Sequence, residues 1–353
     1  MRTWILPAIM LVLALLSIVV LSSIAPALAP KQTVFFLIGA VTFAVASSIP
    51  LRQYERAHWL GYIVTVLLLI LTQLIGQVTR STTSWFTVAG LFAVQPSQLA
   101  VPLIGLSVAI TVNRLDMSKL HSIFKAVVLI AVPALLILSE PDLGTAAIFL
   151  GGMASLLWLS PTRFIHLFLM AALACGTIGL SWQFLAPYQK ARITSFIYAD
   201  DPQGAGYNAR QSLIAVGSGS LTGRGLGQGS QSHLRFLPER QTDFIFASLA
   251  EEFGLIGSVL VIVLYAMLVV TLVHMAQKQG DSWTYYFCLA IAVALFLQIF
   301  VNIGMNSGLL PITGITLPLL SYGGSSVIAT CGMLGIAQAI IRQRSSKQSV
   351  YIH

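Results

Sequence analysis

Residues 4–29 read WILPAIMLVLALLSIVVLSSIAPALA, an apolar run without a single charged side chain. A helix needs about 20 mostly apolar residues to cross the hydrocarbon core of a bilayer, so this run predicts a membrane span. The run leads directly into a second one, which favours a retained helix over a cleaved signal peptide. The sequence contains ten such runs, at 4–29, 32–49, 59–77, 97–113, 122–138, 143–159, 163–185, 253–274, 285–309 and 324–342.

The composition excludes a soluble protein. The 353 residues include only 19 Lys and Arg and 11 Asp and Glu, so 8% are charged, and the mean hydropathy is +0.87. Soluble proteins carry about 25% charged residues. The runs are too long and too uniformly apolar for the strands of a membrane barrel. We therefore predict an all-α polytopic membrane protein with about ten transmembrane helices in a single domain over residues 1–353.

The distribution of basic residues orients the predicted helices. If the N-terminus is cytoplasmic, 11 Lys and Arg residues face the cytoplasm, whereas the short outer loops hold only Lys31 and Arg80. Short cytoplasmic loops are enriched in basic residues, so both termini are predicted to be cytoplasmic. The net charge of +8 thus reflects topology, and no nucleic-acid partner is expected.

One long extracytoplasmic loop, 186–242, is predicted between helices seven and eight. It holds six of the 19 basic residues: Lys190, Arg192, Arg210, Arg224, Arg235 and Arg240. Six glycines lie within 217–229, where the backbone could turn sharply and approach a ligand. The run matches neither a Walker A loop nor a dinucleotide-binding pattern, which argues against a nucleotide site. Two interpretations stay open: a site for a lipid pyrophosphate held by arginines, and a solvated linker with scattered charges.

Asp243 lies where this loop re-enters the membrane, ahead of Phe244, Ile245 and Phe246. A partly desolvated carboxylate there could act as a general base. It could equally be the N-cap of the eighth helix. Glu251 and Glu252, two turns later, are either functional acids or headgroup-level partners of the loop arginines.

Two further segments on the same side are polar. Asp142 follows Pro141 and is interpreted as the N-cap of the sixth helix. Residues 302–326 combine Pro, Gly and small polar side chains at membrane depth, which predicts broken helix lining a cavity that opens outward. The six His residues form no cluster, so metal binding by histidine is not expected, and the three Cys are read as buried apolar residues.

Several motifs occur together in an order that resembles one known family. They are Gln95-Pro96-Ser97, Pro141-Asp142-Leu143-Gly144-Thr145, Gly204-Ala205-Gly206-Tyr207-Asn208, Gln211-Ser212, Gly217-Ser218-Gly219, Gly223-Arg224-Gly225-Leu226-Gly227, Leu237-Pro238-Glu239, Thr242-Asp243-Phe244-Ile245-Phe246 and Leu319-Leu320-Ser321-Tyr322-Gly323-Gly324-Ser325-Ser326. Over essentially the whole chain, the sequence resembles the SEDS family (shape, elongation, division and sporulation) of RodA/FtsW-type proteins.

The resemblance implies a peptidoglycan glycosyltransferase of the bacterial cytoplasmic (inner) membrane. Such an enzyme polymerises lipid II at the outer face, among membrane lipids, with a class B penicillin-binding protein as partner. The essential acid of the family falls on Asp243, which would be the general base of an inverting transfer. The leaving pyrophosphate needs positive charge, either from Arg192, Arg210 and a favoured Arg224 or from a divalent cation such as Mg or Mn. No organic cofactor is expected.

The predicted substrate-binding residues extend beyond the arginines. The full set is Arg192, Arg210, Gln211, Ser218, Arg224, Glu239, Thr242, Ser321 and Tyr322.

The sequence departs from the family pattern at one place. After Gln-Pro-Ser the family usually has Glu and, three residues later, Lys, but this chain has Gln98 and Val101. Losing both partners together avoids an unpaired buried charge and puts a role for that pair in doubt here, although Gln98 could keep a hydrogen bond.

Two other functions compete with the enzyme: a lipid II flippase or transporter, and a non-catalytic scaffold for a penicillin-binding protein. A transporter is expected to place ionisable groups near the membrane midplane, whereas the acids here cluster at the outer interface. Since only three residues precede the first apolar run, the chain leans towards a RodA-like elongation role.

Overall fold

The structure is a computed structural model that describes residues 4–75, 77–79, 82–88, 92–140, 142–168, 183, 187–198, 205–279 and 282–350. Its helices are α1 Ile5–Ile24, α2 Ala29–Ser48, α3 Leu51–Ile75, α4 Ser97–Arg114, α5 Leu120–Ser139, α6 Leu143–Leu159, α7 Pro187–Tyr198, α8 Ala205–Ser218, α9 Ser230–His233, α10 Ile245–Gln277, α11 Trp283–Asn306 and α12 Gly324–Val350.

The predicted all-α membrane architecture is confirmed. Seven of the described helices (α1, α2, α3, α5, α10, α11 and α12) are long and apolar enough to cross a bilayer, and α6 is a shorter apolar helix of 17 residues. Nine of the ten predicted spans fall on helices, with α4 as the ninth. Most of the predicted seventh span, 163–185, lies outside the described residues, so the count of ten stays a prediction.

A small antiparallel sheet between α3 and α4 was not predicted. Strands β1 Gln77–Thr79, β2 Thr82–Val88 and β3 Phe92–Val94 pair in the order β1-β2-β3. In its register Phe86 is opposite Val94 and Val88 is opposite Phe92. The sequence of β2, TTSWFTV, is rich in residues that favour strands, but the search for apolar runs of span length passed over it.

The loop predicted at 186–242 is largely folded. Helices α7, α8 and α9 lie within it, and α8 packs against α10 and α11. The helix that follows begins at Ile245, earlier than the predicted residue 253, and is interrupted at Gly254, where φ is 66° and ψ is −160°. The apolar run predicted only the part of α10 beyond this break.

Helix α11 is packed against α4, α6 and α10. Beyond its end, residues 307–323 are non-helical until α12 begins at Gly324, as the Pro and Gly pattern predicted. The start of α10 lies against this segment, so two stretches of irregular backbone meet at one end of the bundle. The outward-opening cavity predicted there stays a prediction.

Candidate active site around Asp243

A tight turn presents Asp243 immediately before α10. The carbonyl oxygen of Glu239, a residue with φ of 47°, accepts hydrogen bonds from the backbone N–H groups of Thr242 (3.0 Å), Asp243 (3.1 Å) and Phe244 (3.3 Å). Non-glycine residues rarely adopt a positive φ, and such strain collects at functional sites. The turn therefore holds Asp243 in one backbone conformation, with its side chain half-buried.

The N-cap interpretation of Asp243 is wrong, because the cap position of α10 is Phe244. In the first turn, the N–H of Ala247 is accepted by the Oδ1 atom of Asn306 on α11, at 3.1 Å. The helix start is thus capped by a side chain from another helix, which the local sequence could not show.

Two wholly buried amides on α11 hold the backbone of Asp243. The Nδ2 atoms of Asn302 and Asn306 each lie 3.0 Å from the carbonyl oxygen of Asp243. Asn302 also donates to the carbonyl of Ile315 at 2.6 Å, and one turn earlier Gln298 donates to that of Thr316 at 3.0 Å. Since residues four apart share a face of a helix, these three amides form one ladder that joins the Asp243 turn to the segment before α12.

Arg192 lies beside Asp243. Its Nη1 donates to the carbonyl of Thr313 at 3.2 Å. A Cβ atom built on Gly314 would lie 3.6 Å from Arg192 Nη1 and also 3.6 Å from Asp243 Oδ2, so the two atoms are at most twice that distance apart. Gly314 has φ of 79° and leaves open the space between the acid and the guanidinium. Among the arginines predicted to bind substrate, Arg192 is the one that the described contacts place near Asp243.

Four predicted residues form the frame of the turn. Ser321 Oγ donates to the carbonyl of Thr242 at 2.6 Å and accepts the N–H of Leu317 at 2.8 Å. The N–H of Tyr322 donates to the carbonyl of Gln241 at 2.9 Å, and Thr242 Oγ1 donates to the Glu239 carboxylate at 3.2 Å. Thr242 and Ser321 are buried, at 4% and 2% exposure. Their hydroxyls therefore position Asp243, while contact of these four residues with substrate stays a prediction.

Helices α1 and α2 also hold the segment before α12. Ser17 Oγ on α1 donates to the carbonyl of Leu320 at 2.7 Å, and Gln32 on α2 donates to that of Ser321 at 3.1 Å and accepts the N–H of Gly323 at 3.2 Å. Buried polar groups paired this fully favour one arrangement of the backbone. The site is thus preorganised by α1, α2 and α11.

Helix α8 carries Arg210 and Gln211 next to a docking contact. Between α8 and α11, Ser212 Oγ donates to the carbonyl of Asn306 at 2.8 Å. Arg210 is exposed and Gln211 is half-buried, and both directly precede Ser212, which makes this contact. Contact of Arg210 and Gln211 with substrate stays a prediction.

The glycine run packs against α10 at Glu251, farther along the chain than Asp243. The N–H of Arg224 donates to the carbonyl of Glu251 at 2.9 Å, and its Nε donates to that of Ser218 at 3.3 Å. Glu251 is eight residues beyond Asp243, roughly 12 Å along a helix. The geometry therefore favours Arg192 over Arg224 as the cation beside Asp243. Ser218 lies next to Arg224, whose Nε donates to the Ser218 carbonyl.

A second polar group surrounds Asp142, which is the N-cap of α6 as predicted: its Oδ1 accepts the N–H of Thr145 at 2.9 Å. Gln95 donates to Asp142 Oδ2 at 2.9 Å. Gln98 keeps a hydrogen bond, donating to the Gln95 side-chain oxygen at 3.4 Å.

Sequence reasoning missed Glu140, which is wholly buried between α5 and α6. Burial raises the pKa of its carboxyl to about 7; the hydrogen bond from Thr72, 2.6 Å long, opposes this and the charge of Asp142 adds to it. It also missed the ladder, although polar side chains at 298, 302 and 306 in an apolar run were a visible signal.

The family model for FtsW, RodA and SpoVE, described as cell cycle protein, matches residues 1–346. The chain belongs to this family. The peptidoglycan glycosyltransferase MrdB of Escherichia coli K12 is 38% identical over 309 residues, covering 87% of this chain and 83% of MrdB. A probable peptidoglycan glycosyltransferase FtsW of Thioalkalivibrio sulfidiphilus is 35% identical over 325 residues, covering 89% and 80%.

Solved structures of the FtsW/RodA/SpoVE family share the fold. A chain of a peptidoglycan synthase complex that coordinates polymerisation and crosslinking superposes with a TM-score of 0.82 at 27% identity, covering 97% of this chain and 98% of that one. The Thermus thermophilus rod shape determining protein RodA superposes with a TM-score of 0.73 at 26% identity, covering 97% of each. As a member of this family with several apolar helices, the chain is a multi-pass protein of the bacterial inner membrane.

Proposed function

We propose that this protein is a peptidoglycan glycosyltransferase that polymerises lipid II by an inverting transfer with Asp243 as the general base. The relatives named above support the reaction. The observation that supports the residue is the position of Asp243 and Arg192 on either side of the open space at Gly314, with the backbone of Asp243 held by Asn302 and Asn306. An acid and a cation facing one gap suit a transfer that needs a base on one side and charge for the leaving group on the other.

The reaction needs one displacement. The donor sugar is α-linked to undecaprenyl pyrophosphate and the product linkage is β-1,4, so the configuration at the anomeric carbon inverts. The acceptor 4-hydroxyl gives its proton to the Asp243 carboxylate while its oxygen bonds to the anomeric carbon. The bond from that carbon to the pyrophosphate oxygen breaks, and the pyrophosphate leaves with the bonding electrons. Arg192 stabilises the charge that develops on it, with Arg210 as a further candidate.

The orientation and the partner are part of the proposal. Both termini lie in the cytoplasm, so the Asp243 turn faces outward, where lipid II is used. A class B penicillin-binding protein completes the synthase. The solved complex that this chain resembles coordinates polymerisation with crosslinking, which supports such a partner. We also propose a RodA-like role in elongation.

A divalent cation at the leaving pyrophosphate also stays a proposal. Over the described part of the chain, no group of three or more His, Cys, Asp or Glu side chains that could hold a metal ion is found. The described residues therefore offer no metal site built from such side chains alone.

The test compares polymerisation of purified lipid II by the wild type and Asp243→Asn, each with and without the penicillin-binding protein. We expect the variant to lose polymerisation while keeping its fold, because only one oxygen is replaced. Asp116→Asn is the matched control: this acid is exposed and pairs with Lys119 between α4 and α5, so the variant keeps full activity. Normal polymerisation by Asp243→Asn would overturn the assignment. If lipid II crosses a bilayer but no polymer forms with the partner present, the transporter alternative replaces the enzyme.

A further inference from the structure

The exposure of the side chains of α10 changes at Gly254. Before the break, Ile245, Glu251 and Glu252 are at most 2% exposed, although the helix there is short and partly charged. After it, Leu255 is 53% and Ile256 65% exposed, and apolar side chains stay exposed along the following turns. The first part of α10 is therefore enclosed by protein, whereas the second presents an apolar face outward.

The length of α10 places the edge of the bilayer near the break. The helix has 33 residues, about 50 Å at 1.5 Å per residue, whereas the hydrocarbon core is about 30 Å thick. The part beyond Gly254, residues 255–277, is uncharged apart from His274 and is about 34 Å long, which suffices to cross the core. Gly254 thus lies at the boundary between hydrocarbon and headgroups.

Residues 219–229, here called the glycine hairpin, are bonded to α10 on both sides of this boundary. The N–H groups of Arg224 and Gly225 donate to the carbonyls of Glu251 (2.9 Å) and Glu252 (3.0 Å). In return, the N–H of Leu255 donates to the carbonyl of Ser220 at 2.9 Å, and that of Ile256 donates to the carbonyl of Leu221 at 3.2 Å. The hairpin therefore lies at the same depth in the bilayer as Gly254.

The two acids of α10 hold the hairpin in place. Glu252 accepts the N–H of Gly227 at 3.1 Å and contacts His233 at 3.1 Å and the hydroxyl of Ser23 on α1. Glu251 accepts the N–H of Gln231 at 2.8 Å just beyond the hairpin. Because buried carboxylates are costly without such partners, these contacts resist movement of the hairpin away from the bundle.

The outer surface of the hairpin is amphipathic. Leu221 is 64% and Leu226 52% exposed, and the exposed Arg224 lies between them. The bond from Ile256 to Leu221 makes this surface continuous with the lipid-facing side of α10. Leucine and arginine at such a depth suit the boundary between acyl chains and phosphates.

We propose that the glycine hairpin is a phospholipid-binding element of the outer leaflet. Leu221 and Leu226 insert among the upper acyl chains, and Arg224 binds the phosphate of a phospholipid headgroup. The described surface of α10 supports lipid as the occupant, since the same apolar face continues into a membrane span.

The test measures depth in vesicles of phosphatidylcholine and phosphatidylglycerol. The full chain, with its three cysteines replaced by Ala, carries one fluorescent label on a cysteine at position 221 or 226. We expect nitroxide-labelled phosphatidylcholine to quench the label as strongly as at position 256, the bilayer control, and several-fold more than at exposed position 119. Emission as in water, with quenching no stronger than at position 119, would overturn the proposal. A label that is shielded from water but not quenched would mean that protein covers the hairpin, which also overturns it.

A second measurement avoids the cysteine replacements. A photo-crosslinking amino acid at Leu221 in the otherwise natural chain is expected to capture phospholipid, detected by mass spectrometry. Arg224→Gln should lower the yield from phosphatidylglycerol vesicles several-fold more than Gln228→Ala, a change at an exposed uncharged position of the same hairpin. Equal yields from these two variants would remove Arg224 from the proposal, and absence of any lipid adduct would overturn it.

Discussion

Asn306 donates its side-chain Nδ2 hydrogen to the backbone carbonyl of Asp243 at 3.0 Å, from a wholly buried position on α11. Its Oδ1 accepts the N–H of Ala247 at 3.1 Å. One amide thus fixes Asp243, the residue before the cap position Phe244, and also caps the first turn of α10. Precise placement of a catalytic group carries much of the rate enhancement in an enzyme. The carboxylate of Asp243 is therefore expected to depend on a side chain that is wholly buried.

Asn306→Ala is predicted to lower the kcat of lipid II polymerisation more than it raises KM, because the base loses its placement while the substrate contacts remain. Loss of these buried hydrogen bonds should also lower the free energy of unfolding by about 1–3 kcal/mol. Polymerisation kinetics and thermal unfolding in detergent measure the two effects. Gln298→Ala is the matched control: Gln298 lies on the same face of α11 and donates to Thr316 instead of Asp243.

A double variant separates positioning from stability. In an Asp243→Asn background, Asn306→Ala should cause no further loss of residual activity, because nothing remains to be positioned. If the two losses multiply, or if Gln298→Ala impairs kcat equally, Asn306 acts only through stability.

Arg192→Ala is predicted to reduce polymerisation about a hundredfold, the order expected when one group that stabilises developing charge is removed. The reason is its position across Gly314 from Asp243. Arg224→Ala should have a smaller effect, because the backbone of Arg224 is bonded to Glu251, eight residues beyond the acid. Arg192→Lys tests geometry at constant charge and should recover only part of the activity. A larger loss with Arg224→Ala than with Arg192→Ala would restore the order predicted from the sequence.

Glu140 predicts a pH dependence of stability. Burial raises the pKa of its carboxyl from 4.5 to about 7, so the folded state binds this proton more tightly than the unfolded state. The contribution to stability is therefore full below pH 4.5, falls as the pH rises towards 7, and is lost above it, about 3 kcal/mol in all. Glu140→Gln, which keeps an acceptor for Thr72, should raise the melting temperature at pH 7.5 and flatten the slope between pH 5 and 7.

Asp116→Asn serves as the control for Glu140→Gln. Hydrogen bonds from Ser118 and Lys119 lower the pKa of the Asp116 carboxyl, so its replacement should leave the slope between pH 5 and 7 unchanged. An unchanged slope in Glu140→Gln would show that the carboxyl does not stay protonated in the folded protein.

Features set by neighbouring residues, such as helices and the N-cap of α6, could be predicted from the sequence. Contacts between residues far apart in the chain could not. Apolar runs located nine helices, and the local pattern identified Asp142 as the N-cap of α6. The cap of α10 could not be found from the sequence, where Asp243 was one candidate, because it comes from Asn306, 59 positions from Ala247. Arg224 was favoured because it lies among glycines, but proximity to Asp243 is set by the fold and belongs to Arg192.

The glycines show the same limit. Their spacing suggested a loop that approaches a ligand, but a Cβ atom on Gly219 or Gly223 would collide with the carbonyl oxygens of Ala250 and Glu252. The requirement for glycine at these positions therefore comes from the close approach of the hairpin to α10. No feature of the local sequence could reveal that neighbour.

Gly223→Ala is predicted to destabilise the attachment of the glycine hairpin. Gly223 has φ of 84°, and an added Cβ would meet the backbone at Glu252 and Phe253, which cannot move without disturbing α10. The strain and the collision should cost at least about 1 kcal/mol. Gly217→Ala is the matched control, because a Cβ there has no neighbour within 4 Å and α8 gains a better helix former. Limited proteolysis and hydrogen exchange across residues 219–229 should show faster cleavage and weaker protection in Gly223→Ala alone. Equal protection in both variants would mean that the hairpin tolerates a side chain at position 223. The hydrogen bonds from the hairpin to the carbonyls of Glu251 and Glu252 would then not require its close approach to α10.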